Sequence, residues 1–498
     1  MSGNPPAYAG GKSDDPIVPK KAPNKAPQGV AEGLEGRGSI KENIEEPNPS
    51  RTPRRGIGSQ GLVGVRQAAK KDKGLRFTAL LHHVTGTLLR DSFYLLKRGA
   101  APGVDRVTWR EYEQGLDGRI ADLHGRVHRG SYRAQPSRRV YIPKLDGRQR
   151  PLGIAALEDK IVQQAVVTVL NQIYEGDFRG FSYGFRPKRG AHDALDALTA
   201  GIVWKKVNWI LDADIRGFFD NIDHAKLVEL VELRIADRRI LRLIQKWLKA
   251  GVSEDGKWSE TKVGTPQGAV ISPLLANIYL HYVLDRWVQE WRRKTATGDV
   301  IIVRYADDFV MGFQHRKEAD RFLEQLQERL REYGLELHSD KTRLIQFGRY
   351  AAEQRERDGK GKPETFDFLG FTHICGKNWK TGHFTVKRKT KGKRLAAKLK
   401  SIAAELRKRM HDPIAELGKW LRQVVQGYFN YHAVPGNFPR LAAFRREVAR
   451  HLWHTLRRRS QRSRWTHRRL EQFLDRYVPR PTILHPYPLA RFGASHPR

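Results

Sequence analysis

Val300-Ile301-Ile302-Val303-Arg304-Tyr305-Ala306-Asp307-Asp308-Phe309-Val310-Met311-Gly312-Phe313 is two apolar runs around a polar centre. The pattern reads as a β-hairpin with two adjacent acids at its tip. A solvated surface turn is seldom flanked by apolar runs on both sides. A carboxylate held at the edge of a core is costly unless it is paired or binds a cation.

Working outward, Trp209 to Ile215 is a second apolar run that contains acids and reads as a strand. It leads the stretch Leu211-Asp212-Ala213-Asp214-Ile215-Arg216-Gly217-Phe218-Phe219-Asp220, and Gly264-Thr265-Pro266-Gln267-Gly268 lies between that stretch and the hairpin. Adjacent acids on a hairpin tip, facing a third on a neighbouring strand, form an oxygen-rich cage suited to Mg²⁺. Two such ions can clamp the attacking and leaving oxygens of a phosphoryl transfer. Helical periods alternate with the strands. Leu157 to Glu175 carries Ile161, Ala165, Val169 and Ile173 on one stripe, and Ser272 opens a helix with Pro273 in its first turn. The fold class is α+β.

Tyr-x-Asp-Asp, a strand-end Asp followed five residues later by an aromatic, and Pro-Gln-Gly, in this order, resemble the motifs of reverse transcriptases. The resemblance implies a right-hand polymerase: fingers, a palm with an antiparallel sheet, and a helical thumb. It implies that Asp214, Asp307 and Asp308 hold two catalytic Mg²⁺ ions, with the Ile215 carbonyl as a further ligand. Asp214 is preferred to Asp212 because only Asp214 places Phe219 at the family's offset. Phe219 would then lie against the sugar of the incoming nucleotide, where a ring leaves no room for a 2′-hydroxyl. Gln267 would belong to the same nucleotide site.

Tyr141-Ile142-Pro143-Lys144 precedes Asp146-Gly147-Arg148-Gln149-Arg150-Pro151-Leu152-Gly153-Ile154, a hairpin signature around Asp-Gly. The resemblance implies that Lys144 and Arg150 grip the triphosphate from its two strands. Lys341 matches a lysine that would protonate the leaving pyrophosphate. The loop Gly99 to Asp105, Arg150 to Ile154, Ser182 to Pro187, Phe368-Leu369-Gly370-Phe371 and Gly427-Tyr428-Phe429-Asn430-Tyr431 are similar to group II intron-encoded reverse transcriptase/maturases. Pro102, in that first loop, and Arg106, next to it, depart from that branch's usual residues, and neither touches the metal site.

Of 498 residues, 92 are Lys or Arg and 54 are Asp or Glu, a formal net charge of +38. Such an excess calls for a polyanionic partner. The single cysteine, Cys375, excludes a disulfide framework and a Cys-cluster zinc site. Neither a signal peptide nor a membrane-length apolar run is evident, so no membrane partner is expected and the setting is the bacterial cytosol or nucleoid.

Residues 1–70 are rich in Pro, Gly and Ser and are expected to be disordered. A short helix is expected near Gly74. Fingers and palm would span 71–350, with a polar loop over 351–363. The thumb or maturase domain would span 351–440, and a basic nucleic-acid-binding segment 441–498, irregular from Val478. In that segment Arg457, Arg458, Arg459, Arg462, Arg464, Arg468 and Arg469 would contact phosphates, and Trp453 and Trp465 would stack on bases.

The expected function is RNA-directed DNA synthesis from deoxynucleoside triphosphates. The protein would bind group II intron RNA, assist its splicing as a maturase, and copy it into target DNA. Alternatives are a host-adapted reverse transcriptase for defence or repair, and an RNA-binding splicing cofactor that does not polymerise. No endonuclease module is expected after the thumb.

Overall fold

The computed structural model describes residues 60–143, 149–254, 257–259, 263–265, 268–378, 381–459 and 465–495. Its strands are β1 (Ser137–Pro143), β2 (Gln149–Ile154), β3 (Trp209–Asp214), β4 (Val252–Glu254), β5 (Lys257–Ser259), β6 (Val300–Tyr305), β7 (Asp308–Phe313), β8 (Arg343–Gln346), β9 (Phe366–Phe368), β10 (Phe371–Lys377) and β11 (Phe384–Thr390). The main helices are α1 (Gln60–Lys71), α2 (Gly86–Leu95), α3 (Leu157–Asp177), α4 (Ala191–Trp204), α5 (Ser272–Leu280), α6 (Arg286–Lys294), α7 (Arg316–Glu332), α8 (Gly392–Lys408), α9 (Ile414–His432), α10 (Phe438–Arg457), α11 (His467–Tyr477) and α12 (Pro488–Ser495). Among the described residues, no helix is long and apolar enough to cross a membrane.

The central sheet runs β6-β7-β3-β8, antiparallel throughout. Both faces are buried, and the period-2 alternation divides the side chains between two cores. Leu211, Ala213, Phe309, Met311 and Phe313 join a large cluster with α3, α5 and α7. Ile210, Val303 and Val310 point the other way, into a cluster with α4 and the three-stranded sheet β11-β10-β9. Asp212, Asp214 and Asp308 share the parity of this second face. The fingers sheet is β2-β1-β4-β5, with β1 and β2 antiparallel and Ile142 opposite Arg150.

Several expectations give way. Helix α1 lies within the stretch expected to be disordered, while residues 1–59 fall outside the described residues. Leu62, Val65 and Ala69 recur at helical spacing and are buried in the main core. Near Gly74 there is only a 3-10 turn at Leu81–His83. The polar stretch after residue 350 forms a helix, Ala351–Arg357. Ala351 alone in it is buried, so helix formers suffice without an apolar stripe. The helix opened by Ser272 passes through a π-helical turn, His281–Asp285, before α6.

The boundary expected near residue 440, between thumb and basic segment, runs through a single helical core. Leu417, Leu421 and Phe429 of α9 pack with Phe444 and Leu452 of α10 and with Leu470 and Phe473 of α11. The tail expected to be irregular turns back to the palm. The amides of Leu484 and His485 donate to the Ala433 carbonyl, at 3.0 and 3.1 Å. Helix α12 then docks on α4: Arg491 pairs with Asp193 and Asp196, both at 2.7 Å, and Phe492 meets Trp204. Asp196 also takes the buried Arg388 of β11 at 2.9 Å, joining three segments at one carboxylate.

Candidate active site

Register brings the acids together. In the β3–β7 ladder Asp214 stands opposite Asp308, and in the β6–β7 hairpin Tyr305 stands opposite Asp308. Ala306 and Asp307 are the two loop residues. Ala306 has φ +58°, a left-handed conformation in which glycine is usual and alanine costs about 1–2 kcal/mol. Gly184 of the Ser182–Pro187 segment lies against this turn: a Cβ there would approach the Ala306 nitrogen to 2.2 Å. Only glycine permits that approach.

At the end of β3, the Asp214 carbonyl accepts from the His338 amide and the Arg216 amide donates to the Glu336 carbonyl, each at 2.8 Å. Ile215, between them, therefore directs its own carbonyl away from residues 336–338, to the side of β7. Lys341 comes from the segment just before β8, and its ammonium is hydrogen-bonded to the Asp214 carboxylate. Asp214 thus has Asp308 across the ladder, Ile215 next in sequence and Lys341 on its carboxylate, while Asp307 adjoins Asp308 in the turn.

The electrostatics show an excess of negative charge. Burial first, and then the carboxylates of Asp307, Asp212 and Asp214, push the Asp308 carboxyl well above its usual range, against the pull of Arg394. Burial likewise raises Asp212 to about 6, although Arg343 stands opposite it at 3.6 Å. Among the described residues, no three carboxylate, imidazole or thiolate groups converge into a ready metal cage. Unscreened carboxylates repel one another, and a hard divalent cation between them would relieve that repulsion. The all-oxygen donor set of Asp214, Asp307, Asp308 and the Ile215 carbonyl fits Mg²⁺.

The residues expected to meet the nucleotide come from two loops and strand β2. Phe218 is buried in the main core, while Phe219 beside it is half-buried. The Phe219 carbonyl accepts from the Thr265 amide at 2.8 Å. At Gly264, φ +90°, a side chain would strike the carbonyls of Phe219 and Asp220 at 2.9 Å; at Gly268, φ +112°, it would strike the Gly153 carbonyl at 2.7 Å. Gly264 thus lies against the Phe219 turn, and Gly268 against β2, the strand that carries half-buried Arg150. Lys144 and Gln267 lie outside the described residues, as do Arg462 and Arg464.

On the thumb, Arg457, Arg458, Arg468 and Arg469 are exposed. Arg459 donates to the Asp412 carbonyl at 2.9 Å and is partly spent on packing. The tryptophans do not offer free faces: Trp453 stacks on His467 at 4.4 Å and Trp465 meets Phe473, both against the thumb core. The expectation of base stacking by these two rings gives way to packing, because Trp453 lies within α10 and Trp465 just before α11, both against that core.

Sequence reasoning weighed Asp212 only as an alternative to Asp214, and missed its pairing with Arg343 and the charge of Arg394, which reaches Asp308 from α8. The first pair shares a strand register that only the assembled sheet reveals. Arg394 lies over Gly370, φ +83°, in the Phe368–Phe371 turn.

A family model described as reverse transcriptase (RNA-dependent DNA polymerase) matches residues 142–373. The chain is 36% identical over 278 residues to Protein YkfC of Escherichia coli (strain K12), covering 49% of this chain and 72% of that protein. It is 38% identical over 234 residues to Group II intron-encoded protein LtrA of Lactococcus lactis subsp. cremoris, covering 45% of this chain and 39% of that protein. It is 33% identical over 246 residues to an uncharacterized 91 kDa protein in cob intron of Schizosaccharomyces pombe, covering 47% and 30%. The matched region thus spans less than half the length of these last two relatives.

Proposed function

We propose, for a chain that belongs to the reverse transcriptase family of RNA-directed DNA polymerases and to its group II intron-encoded branch, that Asp214, Asp307 and Asp308 are its catalytic acids and that it binds, helps to splice and copies a group II intron RNA. The observation that carries the polymerase site is the pairing of Asp214 with Asp308 across adjacent strands, beneath a strained turn that presents Asp307.

In this reading the three acids and the Ile215 carbonyl hold two Mg²⁺ ions, which supply Lewis-acid polarisation and neutralise charge on the reacting phosphate when bound. The chain's own residues do the rest. Arg150, with Lys144, grips the triphosphate. Phe219, with Gln267 on the neighbouring loop, shapes the pocket and excludes a 2′-hydroxyl. Lys341 holds a proton at Nζ for the departing pyrophosphate, and must leave Asp214 to deliver it. The exposed arginines of α10 and α11 bind the intron RNA, and target DNA when the copy is made, mostly through phosphates. The protein would work in the bacterial cytosol or nucleoid, where both polymers are found.

The test is RNA-templated primer extension beside an intron-splicing assay. Asp307→Ala should abolish extension while RNA affinity and stimulation of splicing stay within about twofold, since splicing chemistry belongs to the RNA. Robust extension by Asp307→Ala would overturn the site. Normal extension by the unaltered protein, with no effect on splicing, would leave a polymerase of another role, such as defence or repair.

A further inference from the structure

Arg304 precedes the Tyr305–Asp308 turn and its side chain has no solvent exposure. A guanidinium has five N–H donors, and each is used here. Nε donates to Asp285 Oδ1 at 2.7 Å and one Nη2 hydrogen to Asp285 Oδ2 at 2.5 Å; the other reaches Ser182 Oγ at 2.8 Å. Nη1 donates to Asn277 Oδ1 at 2.9 Å and to the Ala306 carbonyl at 2.8 Å. The Asn277 amide completes the ring by donating to the Gly184 carbonyl at 2.8 Å. The strained residue of the acid turn and the glycine pressed against it are thus both fastened to one buried fork.

The counter-ion explains the π-helical turn. Asn277 and Asp285 are eight residues apart. At about 100° per residue an unbroken α-helix would set them about 80° apart around its axis. One extra residue in the turn absorbs about 100° and returns Asp285 to within about 20° of the Asn277 direction. Both side chains then face Arg304.

We propose that Arg304, held by Asp285 and Asn277, is a positioning residue for polymerisation: it locks Ala306 in its left-handed conformation and so aims Asp307 and Asp308 at Asp214, and the π-helical turn is retained to bring its counter-ion to the catalytic turn. The inference rests on the polymerase site proposed above.

The test pairs Arg304→Met with Asp285→Leu in one protein. Replacing both partners by apolar side chains of similar volume leaves no lone buried charge, a change that folds often tolerate. Expected are a melting temperature within a few degrees of the parent, unchanged primer–template affinity and KM for deoxynucleotide within about twofold. The kcat should fall on the order of 100-fold, the scale set by a misplacement of about 1 Å. Retention of kcat by the folded double variant overturns the proposal, because a merely structural pair would not move kcat alone. Should that variant not fold, Asn277→Ala decides in its place: a kcat loss of tenfold or more with KM unchanged supports the proposal, and an unchanged kcat overturns it. Asp307→Ala, assayed alongside, separates the two readings. An active Asp307→Ala sinks the polymerase site itself; an inactive one beside a fully active Arg304 variant sinks only this inference.

Discussion

At the scale of residues, neighbouring phenylalanines take different tasks. Phe218 is committed to the main core, and Phe219 is left half-buried beside the Gly264–Gly268 loop. Phe219→Ala should therefore raise the ratio of ribonucleotide to deoxyribonucleotide incorporation by on the order of tenfold or more, the range in which pocket shape discriminates small groups. Stability should suffer less than from Phe218→Ala, which opens a cavity. Competitive single-nucleotide incorporation measures the ratio, and an unchanged ratio would remove Phe219 from the sugar pocket. Asp214 and Phe219 were legible in the sequence because their spacing is local. The Arg304–Asp285 pair was not: nothing in a run of apolar residues shows that one Arg within it will meet an Asp nineteen positions earlier.

At the scale of elements, the hairpin was legible because its alternation had to satisfy two buried faces at once. A one-residue slip would have turned its acids into the opposite core. Helix α1 was missed because the Pro- and Gly-rich composition before it obscured a short apolar stripe. That stripe makes a prediction. Deleting residues 1–58 should leave polymerisation on simple templates nearly unchanged, as composition implies. Carrying the deletion through Lys71 uncovers the face of α3 that Leu62, Val65 and Ala69 bury. Leu62→Ala alone should cost about 2–4 kcal/mol, the range for truncating a buried leucine. Denaturant unfolding of the three proteins checks this, and equal stability of the two deletions would show that α1 packs without contributing. The helices Ala351–Arg357 and α12 were missed for a different reason. Their sequences carry no strong period, and partners far along the chain determine α12.

At the scale of the whole molecule, histidines are buried where palm meets thumb. Burial holds His373 of β10 near 3 and His432 of α9 near 4, with neighbouring arginines adding to the effect; His192 of α4 is also well below its usual value. Each is neutral when folded, whereas an unfolded histidine takes a proton below about 6.5. The unfolded chain then binds more protons, so stability is full above pH 6.5 and declines as pH falls toward 4 and 3. Each pH unit of that gap is worth about 1.4 kcal/mol per group. His373→Phe keeps the stacking on Phe366 and should flatten the slope of unfolding free energy against pH between 6 and 4. An unaltered slope would mean that other groups govern the acid limb.

The strap formed by α12 sets the order in which the molecule can be completed. Its anchor on the palm, α4, ends at Trp204, while the ion pairs that fasten it come from Arg491. During translation at about 5–20 residues per second, roughly 15–60 s separate the emergence of these two partners. Throughout that interval a nascent chain exposes the carboxylate of Asp193 and part of the Trp204 ring. The segments that have already emerged can form the Arg388–Asp196 pair, but the clasp of Arg491 on the same carboxylate closes last.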